Sequence, residues 1–276
     1  MKNVFLFAPL TALLLAACGG TPDPVPAPVP VPMPAPAPAP APAPAGPTTI
    51  NGSVQNYSGG ASTIKLLASN DYTLAESPSN PALGSAPLSA AGAFSLALPS
   101  LAVITPYLSV TGTGPAPSAN CSGSISISDP TSQGYQFSDL HVGNVVYYNG
   151  NITSTSSSVS FSNASWVYLT KPTTLSGSYS CTDSTTKPGM TLVSTQNYNA
   201  VLKQGWNILD LNGTFSGSAD GKTFTSVTNT TTGSDRATLW TALPSVSPSA
   251  QNISTRSLAL QFFHSPSRLN LFGTPR

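Results

Sequence analysis

The chain has 276 residues, of which 7% are charged, and Lys+Arg 10 against Asp+Glu 9 leaves a formal net charge of +1. An average soluble protein carries about 25% charged residues, so solubility here must rest on Ser, Thr, Asn and Gln. The balance lacks the excess of Lys and Arg that phosphate recognition demands, which excludes nucleic acid as the partner.

The first element in chain order is a secretory leader: Met1-Lys2-Asn3 carries one positive charge and Val4 to Leu15 is apolar. A transmembrane helix needs ~20 apolar residues, and Pro9 and then Cys18-Gly19-Gly20 cut this run short of that. Leu15-Ala16-Ala17-Cys18, an aliphatic residue, two small ones and a cysteine, resembles the lipobox of bacterial lipoproteins. The resemblance implies that the Cys18 thiol receives a diacylglyceryl group, that the leader over 1–17 is removed, and that the new amino terminus is acylated as well. Each buried methylene contributes ~0.8 kcal/mol and stable anchoring takes at least two chains, which this modification supplies. Gly19 stands where an aspartate would retain an enterobacterial-type lipoprotein at the inner membrane, so an outer membrane or cell surface is favoured.

From Thr21 to Pro47 almost every second residue is proline. Proline fixes its own φ and drives its predecessor towards extended conformations, so a polyproline II spacer with no packed core is expected. At ~3.1 Å per residue it would reach roughly 80 Å, far beyond a lipid headgroup layer.

Past the spacer, Thr48 to Arg276 is long enough for sizeable cores. A period of two dominates: Phe94, Leu96 and Leu98 share one face of "AFSLALP", Ile125 and Ile127 one face of "GSISISD", and Leu258, Leu260 and Phe262 one face of "SLALQFFH". Turns are expected at Ser58-Gly59-Gly60, Ala91-Gly92, Tyr148-Asn149-Gly150-Asn151, Asp210-Leu211-Asn212-Gly213 and Asp220-Gly221-Lys222. The fold class is therefore all-β, read as two antiparallel β-sandwich domains separated at "TGTGPAPSAN", Thr111 to Asn120. The expected organisation is a leader over 1–17, lipidated Cys18 and spacer over 18–47, a small sandwich over 48–112 and a larger Ser/Thr-rich sandwich over 118–276.

In the first sandwich, Gly92, Phe94, Leu96, Leu98 and Pro99 form a Gly-aromatic-x-aliphatic strand before proline that resembles the prealbumin-like module of carboxypeptidase-regulatory-type domains. That resemblance implies an accessory module without an active site. In the second, Leu202-Lys203-Gln204-Gly205-Trp206-Asn207 resembles strands of uncharacterised bacterial surface lipoproteins and implies the same location without an activity.

Of 3 cysteines the lipobox takes Cys18, which leaves Cys121 and Cys181 to form a disulfide in an oxidising compartment. Neither has a second cysteine or a histidine at ligand spacing, so no metal is expected there. There is no G-x-S-x-G, and the histidines are only His141 and His264. Asp139 and His141 would face the same way on one strand, but a lone acid beside an imidazole lacks the nucleophile of a triad. Glu76 is the sole glutamate and the aspartates sit mostly beside Gly, Asn, Ser or Pro, as turn caps rather than as a glycosidase pair. Asp210-Leu211-Asn212-Gly213 echoes the start of a calcium loop without its later acidic ligand. No cofactor and no catalysis are expected.

Alternation in "SWVYLTK" puts Trp166 and Tyr168 on one face, which if exposed would make a stacking platform for a sugar ring. The leading expectation is a lipid-anchored cell-envelope protein displaying non-catalytic β-sandwiches for structural or adhesive contact, held to the membrane by acylated Cys18. Carbohydrate binding through Trp166 and Tyr168 is the alternative, with envelope polysaccharide or surface-layer protein as partner.

Overall fold

The computed structural model describes residues 46–69, 74–110, 120–155, 157–184, 189–234 and 238–242. All lie within one compact unit, Ala43–Arg276. The leader, Cys18, most of the spacer and the Leu258–Phe262 strand expectation lie outside the described residues.

The region is built almost wholly of strands: β1 (Thr49–Val54), β2 (Ser62–Leu67), β3 (Ala82–Leu88), β4 (Ala93–Ala97), β5 (Ser109–Val110), β6 (Cys121–Ile127), β7 (Gln133–Phe137) and β8 (Asp139–Val142). There follow β9 (Val145–Ser154), β10 (Ser158–Leu169), β11 (Thr173–Asp183), β12 (Thr191–Leu202), β13 (Gly205–Gly217), β14 (Thr223–Thr232) and β15 (Thr238–Ala242). One short helix, α1 (Leu101–Ile104), runs into a 3-10 turn over Thr105–Tyr107. All 15 strands are linked in one hydrogen-bonded network, antiparallel apart from the β1–β15 and β12–β14 pairs.

The network has two regions that share β9. One runs β4–β1–β15–β9–β8–β2–β3, with its end strands β3 and β4 joined by a tight turn. That turn closes through Gly92 N–H to the Ser89 carbonyl at 2.9 Å and Ala93 N–H to the same residue's hydroxyl at 3.0 Å. Gly92 sits at φ +80, a conformation glycine enters without a Cβ penalty, so the predicted Ala91-Gly92 turn holds. The other region runs β6–β11–β12–β14–β13–β10. The far edge of β10 is taken by β9 along one half and by β7, with β5 beside it, along the other.

The alternation read from the sequence selects the faces. Phe94 and Leu96 are buried between exposed Ala93, Ser95 and Ala97. On β10, Ala164 and Trp166 enter the largest core, whereas Val167 and Leu169 enter a second one with Leu175, Ala200, Leu202, Leu209 and Leu211. A buried strand with apolar residues on both faces reads as a continuous run, which "WVYL" is.

The large core joins what the sequence was expected to divide. Trp166 of β10 stacks on Phe137 of β7 (centroids 5.6 Å, planes 10°) and on Trp240 of β15 (5.4 Å, 17°). Trp240 meets the edge of Phe94 on β4 at 6.0 Å. Trp206 of β13 packs edge-on against Phe137, Tyr135 and Tyr168, and its indole N–H donates to the Pro99 carbonyl at 3.0 Å. The Tyr135 hydroxyl donates to the Leu67 carbonyl at 3.0 Å. Strands from both sides of Thr111–Asn120 thus close one core, and the described residues do not separate there into two sandwiches. The physical reason is strand pairing: β1 with β15, β2 with β8 and β5 with β7 tie the two parts by main-chain hydrogen bonds.

Two expected turns are also strand interior. Tyr148–Asn151 lies within β9 and Asp210–Gly213 within β13. Glycine serves packing at the second of these, since a Cβ on Gly213 would run into the Phe161 ring. Gly52 on β1 does the same for the large core, where a Cβ would meet the Trp240 indole at 2.7 Å.

If the described region is one cooperative body, Trp240→Ala should lower the unfolding free energy by about 3–5 kcal/mol. Urea unfolding followed by both fluorescence and circular dichroism should remain one coincident transition. Two separated transitions would mean that the parts before and after residue 111 fold independently.

Candidate functional site

The aromatic platform expected at Trp166 and Tyr168 is not at the surface. Trp166 is 2% exposed, sandwiched between Phe137 and Trp240, and Tyr168 is half-buried against Trp206. Alternation placed the two residues on one face correctly, but that face turns towards β1, β4 and β15, whose strands cover it. As a sugar-stacking surface it is closed.

Cys121 and Cys181 are bonded to each other. They stand directly opposite on the antiparallel pair β6 and β11, with Cα atoms 4.0 Å apart, so each side chain already faces its partner. β6 is paired on the β11 side alone in the described network, and a sequence separation of 60 makes the link a long-range clamp on that edge strand.

Asp139 and His141 do face the same way on β8, and His141 Nε2 lies 3.0 Å from the Asp139 carboxylate. The two are 7% and 5% exposed, between β2 and β9. An acid that orients an imidazole is half of a proton-transfer relay. Here the pair is closed from solvent, and among the described residues Asp139 is the hydrogen-bond partner that His141 has. The Asp139 charge, added to burial as the larger cause, pushes the Tyr135 phenol well above its usual range. This geometry suits a structural buried pair.

Asp129 and Asp220 organise turns. The Thr131 hydroxyl and amide hold the Asp129 carboxyl below its ordinary range, assisted by Lys171, and the Ser218 hydroxyl with the Lys222 amide does the same for Asp220. Lowered carboxylates stabilise the folded chain above pH 3.8, and that contribution is lost as pH falls through their folded values. Asp210 lies in β13 opposite Thr231 rather than in a loop. Among the described residues no group of three or more His, Cys, Asp or Glu is arranged to hold a metal ion.

Gly205-Trp206-Asn207 has a local explanation. Trp206 enters the core, while the Asn207 amide donates to the carbonyls of Lys203 and Gly205 and its carbonyl accepts from Lys203 N–H, bracketing the turn between β12 and β13.

One ordered feature was not anticipated from the sequence. Across the outward face of β6–β11–β12–β14–β13–β10 the registers align Ser124, Ser178, Asn197, Asn229, Asn212 and Ser162 in a single row. The flanking rows are mostly Ser and Thr, with Asn199, Asp210 and Ala164 in one and Val227 in the other. Asn197 donates to the Asn229 side-chain carbonyl at 2.9 Å, and the Thr195 hydroxyl to that of Ser180 at 3.0 Å. Asp210 is the one charged residue that the described strands turn outward on this face. The signal was available as Ser at every second position in "CSGSISI" and "TTLSGSYS", but its meaning depends on which strands stand side by side.

The chain matches no known family model, no curated protein and no solved structure.

Two outcomes test this geometry. His141→Ala removes the imidazole bonded to a buried carboxylate and should cost about 1–3 kcal/mol in urea unfolding, whereas a change below about 0.5 kcal/mol would place the pair at the surface. Thiol labelling of the unfolded, unreduced chain should find neither Cys121 nor Cys181, and reduction should lower stability by about 4 kcal/mol in the chain-entropy estimate. Labelling of both without reductant would contradict the bond.

Proposed function

We propose that this is a lipid-anchored protein of the bacterial cell envelope, displaying a non-catalytic β body for structural or adhesive contact. Its attachment would be the acylated Cys18, and its stand-off the Pro/Ala-rich segment to Pro47. The observation that carries the reading is the Cys121–Cys181 bond. Disulfides persist in oxidising compartments outside the cytosol, where the leader and lipobox of the sequence would deliver the chain.

Three further features support it. The β body takes its cohesion from a disulfide-clamped sheet and an aromatic core. Its buried Asp–His pair is closed from solvent. Its surface is dominated by neutral hydroxyl and amide groups, as expected of a chain with 7% charged residues.

Replacing Cys18 by Ala tests the attachment. The native protein should partition with membranes after high-salt washing and enter the detergent phase, because two or more acyl chains hold it. Cys18→Ala should be recovered in the aqueous phase or retained with an uncleaved leader. Unchanged partitioning of a cleaved Cys18→Ala chain would overturn the anchor.

A further inference from the structure

From the free edge of β6 we infer that two copies of this chain pair through it, strand against antiparallel strand, an inference that goes beyond the envelope-display reading and does not depend on it. Two ladder bonds fix which main-chain groups are free. Ser128 N–H donates to the Thr174 carbonyl at 3.1 Å and Thr182 N–H to the Asn120 carbonyl at 2.7 Å, so the even-numbered residues of the β6–β11 ladder form its hydrogen-bonded pairs. The main-chain N–H and C=O groups of Cys121, Gly123, Ile125 and Ile127 therefore turn to the opposite side, where no described strand pairs with them. A row of free donors and acceptors at strand spacing is matched by another β-strand.

The strand carries none of the features that keep edges apart. Over its 7 residues it has no proline, no charged side chain and no register shift, and the disulfide holds one end in place. The edge strand β3, by contrast, contains Pro87. The occupant is a second copy because β6 complements itself. About a two-fold axis at Ser124, Gly123 of one copy stands opposite Ile125 of the other, and Cys121 opposite Ile127, a compact residue against a branched one each time. On the other face Ser122 meets Ser126 and Ser124 meets Ser124, so no like charges are opposed. In this register the four residues with free main-chain groups are the ones that exchange hydrogen bonds. One added strand pair is a small contact, so the dimer is weak and depends on concentration.

The test uses the mature acylated protein in detergent, with micelles in excess over protein. Sedimentation velocity should show a dimer that grows with protein concentration. Ser124→Cys places two thiols opposite each other in a non-hydrogen-bonded pair, with Cα atoms about 4.5 Å apart and within disulfide reach. Mild oxidation should then give a reducible dimer with the Cys121–Cys181 bond intact, whereas Val201→Cys, exposed on β12, should not. Ser124→Lys and Ser124→Glu should each weaken the dimer about threefold or more, and their equimolar mixture should recover it, because opposite charges then face each other. Native-like tryptophan emission in each variant would show that the fold is kept. A monomer at every concentration, or Ser124→Cys chains that cross-link no better than Val201→Cys chains, would overturn the inference. A dimer that Ser124→Lys and Ser124→Glu leave unchanged would place the contact elsewhere and overturn it equally. Failure of the mixture to recover the dimer would refute the two-fold register.

Discussion

The stack of Phe137, Trp166 and Trp240 is the contact on which the rest of the molecule depends. Large aromatic side chains bury about 150–250 Å² each, and their offset and edge-on arrangements add to that burial. Here the rings come from β7, β10 and β15, with Phe94 of β4 and Trp206 of β13 at their edges. The geometry also explains Gly52, because any side chain at that position of β1 would enter the space that the Trp240 indole occupies.

Once the rings face inward, little apolar material remains for the outside of the larger sheet. Its exterior is mostly Ser, Thr and Asn, with Val201 exposed among them, and a chain with so few charges keeps water on that face through neutral groups. The same economy makes the edge vulnerable, since unpaired strand edges invite association. The disulfide pins β6 to β11 at its first residue, and Gly123 with the outward Ser122, Ser124 and Ser126 gives the strand little apolar surface. Core, edge and face are thus consequences of one allocation: aromatic residues inward, hydroxyls outward, cysteines at the border.

Much of this was legible in the chain. Alternation identified the strands around Phe94–Leu98 and Ile125–Ile127, turn chemistry the Ala91-Gly92 turn, and the cysteine count the pairing of Cys121 with Cys181. Alternation also placed Asp139 beside His141 and Trp166 beside Tyr168. What alternation cannot show is which element covers a face. The covering strand for Trp166, β15, lies more than seventy positions later, and its parallel partner β1 lies near the other end of the described region. The same limit misplaced turns at Asn149-Gly150 and Asn212-Gly213. Their polar and small residues resemble loop chemistry, yet in β9 and β13 they lie within paired strands, where Asn149 donates to the Leu239 carbonyl and Gly213 makes room for Phe161. Pro and Gly between residues 111 and 120 looked like a domain boundary for the same reason: local sequence reports a break in periodicity, and long-range pairing decides whether a domain ends there.

The central claim is that the aromatic residues hold the fold together from inside. The protein has 3 tryptophans, Trp166, Trp206 and Trp240, and they are 2%, 8% and 0% exposed. Their emission therefore reports the core alone. The account predicts a blue-shifted native spectrum that resists acrylamide quenching. A red-shifted, readily quenched spectrum would show that tryptophan lies at the surface and would contradict it.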